Sequence, residues 1–338
     1  MIRVGVVGYG VIGRRVADAI SAQPDMDLIG IIKTKPDYKA KLAISKGFSV
    51  YSTDSRTKKT FVNSNIQVSG ELKDLLNKVD VVVDAVPSKV GVTNRTVYQK
   101  FGKKVIYQGG ESSEIAEGSF VAQCNYEKAE GKRSIRVVSC NTTGLCRILN
   151  SIDMNFGIEL VRAVIIRRAT DPDEPGKGII DAVSVDPIQI PSHHGPDVNT
   201  VLPNLRIITT AIKIPTTHLH LHTLIISLKD GAITAKQIIK ALNDTTRIIL
   251  ISSKDGFKTT GQLFDYAREL GRWRSDLYEL AVWKDSITII DKELYLHMGV
   301  AQEAIAVPEN IDAIRAISGG YTREKSISIT NSTLNILQ

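Results

Sequence analysis

Residues 8–14 read GYGVIGR, which places Gly8, Gly10 and Gly13 in a G-x-G-x-x-G frame. The apolar run from Ile2 to Val7 precedes the frame and an amphipathic run from Ile12 to Ser21 follows it, so the glycines occupy a strand-to-helix turn. The first glycine permits the tight turn, the second lets backbone approach a pyrophosphate, and the third lets helix and strand pack closely. This pattern predicts a dinucleotide site. At the end of the next strand-like run, Leu28 to Ile32, an acid would bond the adenosine ribose hydroxyls of NAD, but the sequence GIIKTKPDY puts Lys33 and Thr34 there. A cation and a hydroxyl accept a 2′-phosphate that an acid repels, so NADP is expected to be used in preference to NAD.

Strand-like and helix-like runs keep alternating: VDVVVDAV at 79–86, a helix-like stretch around Asn94 to Phe101, KKVIYQ at 103–108, and a short strand leading into Cys140. Successive βαβ units of this kind predict a doubly wound parallel sheet with helices on both faces, of Rossmann type. After residue 150 long β-branched runs take over at 160–169, 206–214, 221–228 and 286–297. With helix-like segments from Ala235 to Asn243 and Gly261 to Leu270, they predict an α+β domain on a mostly antiparallel sheet. A last helix is expected from Pro308 to Gly319. The expected division is a dinucleotide-binding domain over 1–139, a catalytic domain over 140–305, and a C-terminal helix and tail over 306–338 packed on the first domain.

No apolar run approaches the roughly 18 to 20 residues that cross a bilayer, and the opening MIRVGVVGYG runs straight into a strand without a cleavage region. A cytoplasmic protein without membrane partners is expected. The 43 basic residues are interspersed with 36 acidic ones, giving +7 without a clustered face, which favours small anionic ligands over nucleic acid. Cys124, Cys140 and Cys146 lack C-x-x-C spacing, so neither a disulfide framework nor a cysteine metal site is indicated. In SCNTTGLCR at 139–147, Cys140 falls where a strand ends and a helix begins, a place where unpaired N–H groups favour a thiolate. The competing reading is a buried cysteine acting as a small hydrophobe. His218, His220 and His222 alternate, and in a strand would share one face, but no carboxylate or cysteine in that segment completes a metal site. No metal is assigned.

Further blocks carry a family resemblance. NTTG after Cys140, DAVPSKVG at 84–91, YQGGE at 107–111, IRRATDP at 166–172, SHHGPD at 192–197, DLYELAVW at 276–283 and VPENIDAIRA at 307–316 follow one another in family order. Together they make the chain similar to the archaeal type of phosphorylating glyceraldehyde-3-phosphate dehydrogenase. The resemblance implies reversible oxidation of D-glyceraldehyde 3-phosphate to 1,3-bisphosphoglycerate with inorganic phosphate, in glycolysis or gluconeogenesis, by a homotetramer. It implies Cys140 as nucleophile and His220, in PTTHLHLH, as base. Asn141, Thr142, His193 and His194 are then expected around the substrate, with Thr143 and Arg167 as further lining of the two anion sites; for Arg167 a phosphate group and a structural carboxylate are both open as partners. Val11, Ile12, Gly110, Arg168 and Gln302 join Gly8, Gly10, Gly13, Lys33 and Thr34 on the cofactor side. His218 stands where the family has an apolar residue and Ala301 where it often has histidine; His218 and His222 read as ordinary strand histidines. The nearest rivals are thiol-dependent semialdehyde dehydrogenases acting on aspartyl or N-acetylglutamyl phosphate, against which the histidine pair of SHHGPD speaks. A non-enzymatic dinucleotide sensor would keep the glycine turn without needing Cys140.

Overall fold

In the computed structural model, residues 1–88, 90–108, 110–170 and 178–337 are described; Lys89, Gly109, Asp171 and Pro172 of the quoted segments lie outside them. The chain divides into two compact units, Met1–Ser139 with Val307–Asn335, and Cys140–Ala306 with Ile336–Gln338.

In the first unit the described strands are β1 (Ile2–Val7), β2 (Met26–Lys33), β3 (Val50–Ser52), β4 (Val81–Asp84), β5 (Lys104–Gln108), β6 (Ser119–Phe120) and β7 (Ser134–Val137). They form one parallel sheet in the order β3-β2-β1-β4-β5-β7-β6. The helices between them are α1 (Val11–Ser21), α2 (Tyr38–Ser45), α3 (Ser55–Asn63), α4 (Leu72–Leu76), α5 (Val90–Lys100) and α6 (Ala122–Asn125). This is the doubly wound architecture the alternation predicts. The strand order reverses between β1 and β4, so the crevice at their carboxyl ends is where such a sheet takes ligands.

The second unit begins with α7 (Cys140–Phe156) and carries β8 (Ile158–Arg168), β9 (Ser184–Val185), β10 (Ile207–Ile214), β11 (His220–Leu228), β12 (Ile248–Ile251), β13 (Leu280–Trp283), β14 (Thr288–Ile290) and β15 (Glu293–Val300). The path is β12-β13-β15-β11-β8-β10-β9, with β14 on β15; β8 with β10 and β12 with β13 are parallel and the other pairings antiparallel. Its helices are α8 (His194–Asn199), α9 (Ala235–Asn243) and α10 (Thr260–Glu269). The run at 286–297, expected as one strand, is a hairpin. Asp291 and Lys292 both have positive φ, 47° and 69°, the conformation of a two-residue turn, and Ile290 pairs with Glu293.

Two helices, not one, close the chain: α11 (Val307–Ser318) and α12 (Arg323–Thr333). α12 reads REKSISITNST, a polar and β-branched run without an apolar stripe, so no periodicity announces it. Polar bonds to α11 hold it instead. Asp312 accepts from Ser326 Oγ and Thr330 Oγ1, both at 2.7 Å, and Arg315 Nη1 donates to Thr330 Oγ1 at 2.7 Å. Arg315 also makes a two-pronged pair with Asp25 at 2.8 and 2.7 Å. Because both Arg315 and Asp312 are fully buried, removing the cation strands a buried carboxylate. Arg315→Met is therefore expected to destabilise the protein by about 3–5 kcal/mol in denaturant unfolding, a loss typical of one partner removed from a buried pair. A change below 1 kcal/mol would mean the network contributes little.

Candidate active site

The glycine turn has the three environments its spacing predicts. Gly8 has φ +92°, and a Cβ there would meet the Ala85 carbonyl oxygen at 2.7 Å; a Cβ on Gly13 would lie 1.8 Å from the Gly8 oxygen. At Gly10, by contrast, nothing lies within 4 Å. Two glycines are required by the protein's own packing, and the third faces open space at the N-terminus of α1, beside the first-turn residues Val11 and Ile12. That open N-terminus suits a pyrophosphate. Gly110 sits in the same unit, its carbonyl accepting from Ser88 Oγ at 2.6 Å. At the end of β2, Lys33 Nζ donates to Asp37 Oδ2 at 2.8 Å, and Thr34 is exposed. The acid absent from the strand end is thus found four residues later, where Asp37 also caps α2.

In the second unit Cys140 is the first residue of α7 and retains partial exposure, whereas Cys146 is wholly buried. The location matches the sequence reading, but the resting protonation state does not. Burial pushes the Cys140 thiol up to about 11, against the pull of Arg167, Arg168 and the Asn141 N–H. Desolvation outweighs the helix terminus, so the resting group is a thiol.

His218 and His220 do not share a strand face, contrary to the alternation read from sequence. β11 starts at His220, and Leu219 before it has φ +53°, which breaks the period; His218 is exposed and stacks edge-on against Phe264. His220 and His222 are buried on one face of β11. His220 Nδ1 accepts the Arg168 backbone N–H at 3.0 Å, while its Nε2 is buried without a partner. Burial first, then the neighbouring His222 and Arg168, hold His220 well below the usual imidazole range. A neutral imidazole that accepts at Nδ1 carries its proton on Nε2. His220 therefore offers a donor, not the vacant base expected from sequence.

His222 is not an ordinary strand histidine. Its Nε2 lies 2.9 Å from Asn141 Oδ1, and Asn141 Nδ2 lies 3.2 Å from His194 Nε2. Burial lowers His194 to about 2 and His222 to about 3, so both are neutral. His193 is exposed and stacks on His194 with ring centroids 3.9 Å apart. Thr142 donates to Asp197 at 2.6 Å, and both Thr142 and Thr143 are fully buried. Arg167 pairs with Asp186 at 2.5 Å, and Asp186 is shared with Lys213 at 2.9 Å. Arg168 bonds Gln302 at 2.7 Å, the Thr217 carbonyl at 3.0 Å, and Glu303. The structure brings Cys140, Asn141, His194, His220, His222 and the two arginines together. Asp186, Asp197 and Lys213 complete this set; Asp197 ends the SHHGPD block, whereas Asp186 and Lys213 fall in none of the quoted family blocks. A cavity of about 410 Å³ lined by Leu221, Phe257 and Trp283 holds none of these side chains, Leu221 alternating away from His220 and His222.

Comparison with known proteins supplies the family context. Residues 139–286 match the family model described as glyceraldehyde 3-phosphate dehydrogenase, C-terminal domain, and residues 2–115 match dihydrodipicolinate reductase, N-terminus. The chain is 47% identical over 336 residues to a glyceraldehyde-3-phosphate dehydrogenase of Archaeoglobus fulgidus, covering 99% of this chain and 98% of the relative. The enzyme of the same name from Pyrobaculum neutrophilum is 49% identical, again with 99% and 98% covered. A solved aspartate semialdehyde dehydrogenase II of Vibrio cholerae superposes with a TM-score of 0.67, covering 94% of this chain and 98% of that one, at 12% identity. That last likeness speaks to fold alone.

Two outcomes follow from the geometry. Gly10→Ala should leave thermal stability within about 1 °C of wild type yet weaken nicotinamide dinucleotide binding tenfold or more in calorimetry, while Gly13→Ala should damage the fold itself. Equal stability losses would sink the distinction. Alkylation of Cys140 by iodoacetamide in the cofactor-free protein should keep accelerating from pH 7 to pH 10, because its thiol titrates near 11. A plateau below pH 8 would show a preformed thiolate.

Proposed function

Because the chain belongs to the glyceraldehyde-3-phosphate dehydrogenase family, we propose that it oxidises D-glyceraldehyde 3-phosphate reversibly to 1,3-bisphosphoglycerate through a thioester on Cys140. The observation that carries this reading is Cys140 at the head of α7, beside two arginines and a buried imidazole whose Nε2 lacks a partner. The first unit is the dinucleotide-binding domain and the second the catalytic one. A bound nicotinamide dinucleotide supplies the hydride acceptor.

The Cys140 sulfur adds to the aldehyde carbon as its proton leaves for solvent, which is the proton released overall by the oxidation. The carbonyl oxygen becomes an alkoxide. Nε2–H of His220 donates to that oxygen, and the Asn141 N–H at the helix start reinforces it. Loss of hydride from carbon leaves a thioester, which hydrogenphosphate attacks, forming the acyl phosphate and expelling the thiolate, which takes up the phosphate's proton and returns to the resting thiol. Arg167, with Lys213 sharing its carboxylate partner and exposed His193 nearby, is the anion-binding group for this step. Thr142 and His194 already spend their polar atoms within the protein, which shifts them from substrate contact to support. Gln302, fixed by Arg168, serves the nicotinamide end.

NADP is the preferred cofactor in this reading, with NAD also used. Lys33 ends β2 as a cation held in place by Asp37, and Thr34 beside it exposes a hydroxyl; a 2′-phosphate would displace Asp37 from Lys33. The reading takes the protein as a cytoplasmic homotetramer without membrane or nucleic-acid partners; among the described residues no helix is long and apolar enough to cross a membrane.

NADPH formation at 340 nm from glyceraldehyde 3-phosphate should require inorganic phosphate and vanish in Cys140→Ser. Phosphate-independent turnover would make the enzyme a hydrolysing dehydrogenase, and residual turnover in the variant would remove the covalent step. His220→Asn, which reaches only as far as Nδ1, should lower kcat by roughly 10²–10³-fold, as loss of one oxyanion donor does. Lys33→Asp should raise KM for NADP more than for NAD; equal effects would mean that Lys33 does not read the ribose.

A further inference from the structure

The directions of the hydrogen bonds around Asn141 are fixed from a backbone end. Thr209 Oγ1 donates to the Ser192 carbonyl at 3.0 Å and accepts the Gly195 N–H at 3.0 Å. With its one proton spent, Thr209 Oγ1 must accept from Ser192 Oγ at 2.8 Å. Ser192 Oγ in turn must accept from His194 Nδ1 at 3.0 Å, which places the single proton of that neutral ring on Nδ1 and leaves Nε2 to accept from Asn141 Nδ2. The amide oxygen of Asn141 then takes the Nε2–H of His222. The chain runs from β11 through α7 and the start of α8 to β10, with each hydroxyl and each imidazole N–H along it donating to one acceptor. It leaves one loose end, the Nδ1 acceptor of His222, buried and without a partner.

A buried acceptor without a partner costs stability, so a fold that keeps one is held there by another demand. Asn141 directly follows the nucleophile in the first turn of α7, so whatever holds its side chain also holds the turn that carries the sulfur. We propose that His222 is a positioning residue for the nucleophile: its Nε2–H clamps the Asn141 amide, and through it the first turn of α7, which begins at Cys140. Nothing in this needs His222 to touch substrate. The inference rests on Cys140 being the nucleophile of the proposed reaction.

The test reads Cys140 directly and so does not depend on knowing the substrate. The rate of iodoacetamide modification at pH 8.5 is followed by mass spectrometry of the Cys140 peptide, with melting temperature alongside. His222→Leu should slow modification about tenfold and lower kcat by a similar factor with KM for the aldehyde within twofold. His222→Gln, whose amide N–H still reaches Asn141 Oδ1, should stay within about threefold of wild type. Ser192→Ala cuts the chain at its far end, frees the tautomer of His194, and should slow modification in the same direction; it carries the test if His222→Leu fails to fold. Modification at the wild-type rate in the folded variants overturns the proposal, as does a His222→Gln variant as slow as His222→Leu. If modification slows as expected but no variant, nor the wild type, oxidises glyceraldehyde 3-phosphate, the positioning role stands and the functional reading falls.

Discussion

An amide accepts through oxygen and donates through nitrogen, and the chemistry of the second unit is laid out from that polarity at Asn141. Its partners come from residues 194 and 222, far apart in sequence, so the site exists only when α7, α8 and β11 are all in place. β11 is locked between β8 and β15, with His222 opposite Ile165 on one side and Met298 on the other. A slip of one residue would send His220 and His222 to the opposite face and bring Leu221 in their stead. Sheet register is therefore the register of the site, and the apolar alternation that fixes it protects the polar cluster indirectly.

Charge around Cys140 is more balanced than two adjacent arginines suggest. Arg168 is neutralised by Glu303 and Arg167 by Asp186, so each cation reaches the sulfur already partly spent. The three buried imidazoles are held neutral by the same desolvation that raises the thiol. Such a site does not store a thiolate. A protonated thiol also reacts slowly with stray oxidants.

The parallel sheet, the glycine turn and the position of Cys140 at the head of α7 were legible because each has a local signature: alternating runs, a fixed glycine spacing, and a thiol at a strand-to-helix junction. The hairpin at 286–297 was not, because Asp291-Lys292 lacks the glycine that usually marks such a turn. α12 was missed because polar bonds to Asp312 and Arg315 hold it in place of an apolar stripe. The roles of His218, His220 and His222 could not be ordered by alternation, since the positive φ of Leu219 lies between the first and the second. Tautomers are further still from sequence. The proton on His220 Nε2 follows from one backbone N–H of a neighbouring strand, a pairing that no spacing along the chain encodes.

The chain uses one local device twice, with different support. β1 runs into α1 and β7 leads to α7, so each helix starts close to the carboxyl end of a strand. At α1 the start of the helix is kept clear of side chains, since Gly10 has none and nothing lies within 4 Å of where its Cβ would be. At α7 the first helical residue is itself the proposed nucleophile, so in that reading the turn has to be held still while its sulfur stays accessible. Hydrogen bonds to the next residue answer that requirement without crowding the sulfur. A cap placed on Cys140 would occupy the atom that must react, whereas a clamp on Asn141 acts one residue away, which is why the polar network is centred there.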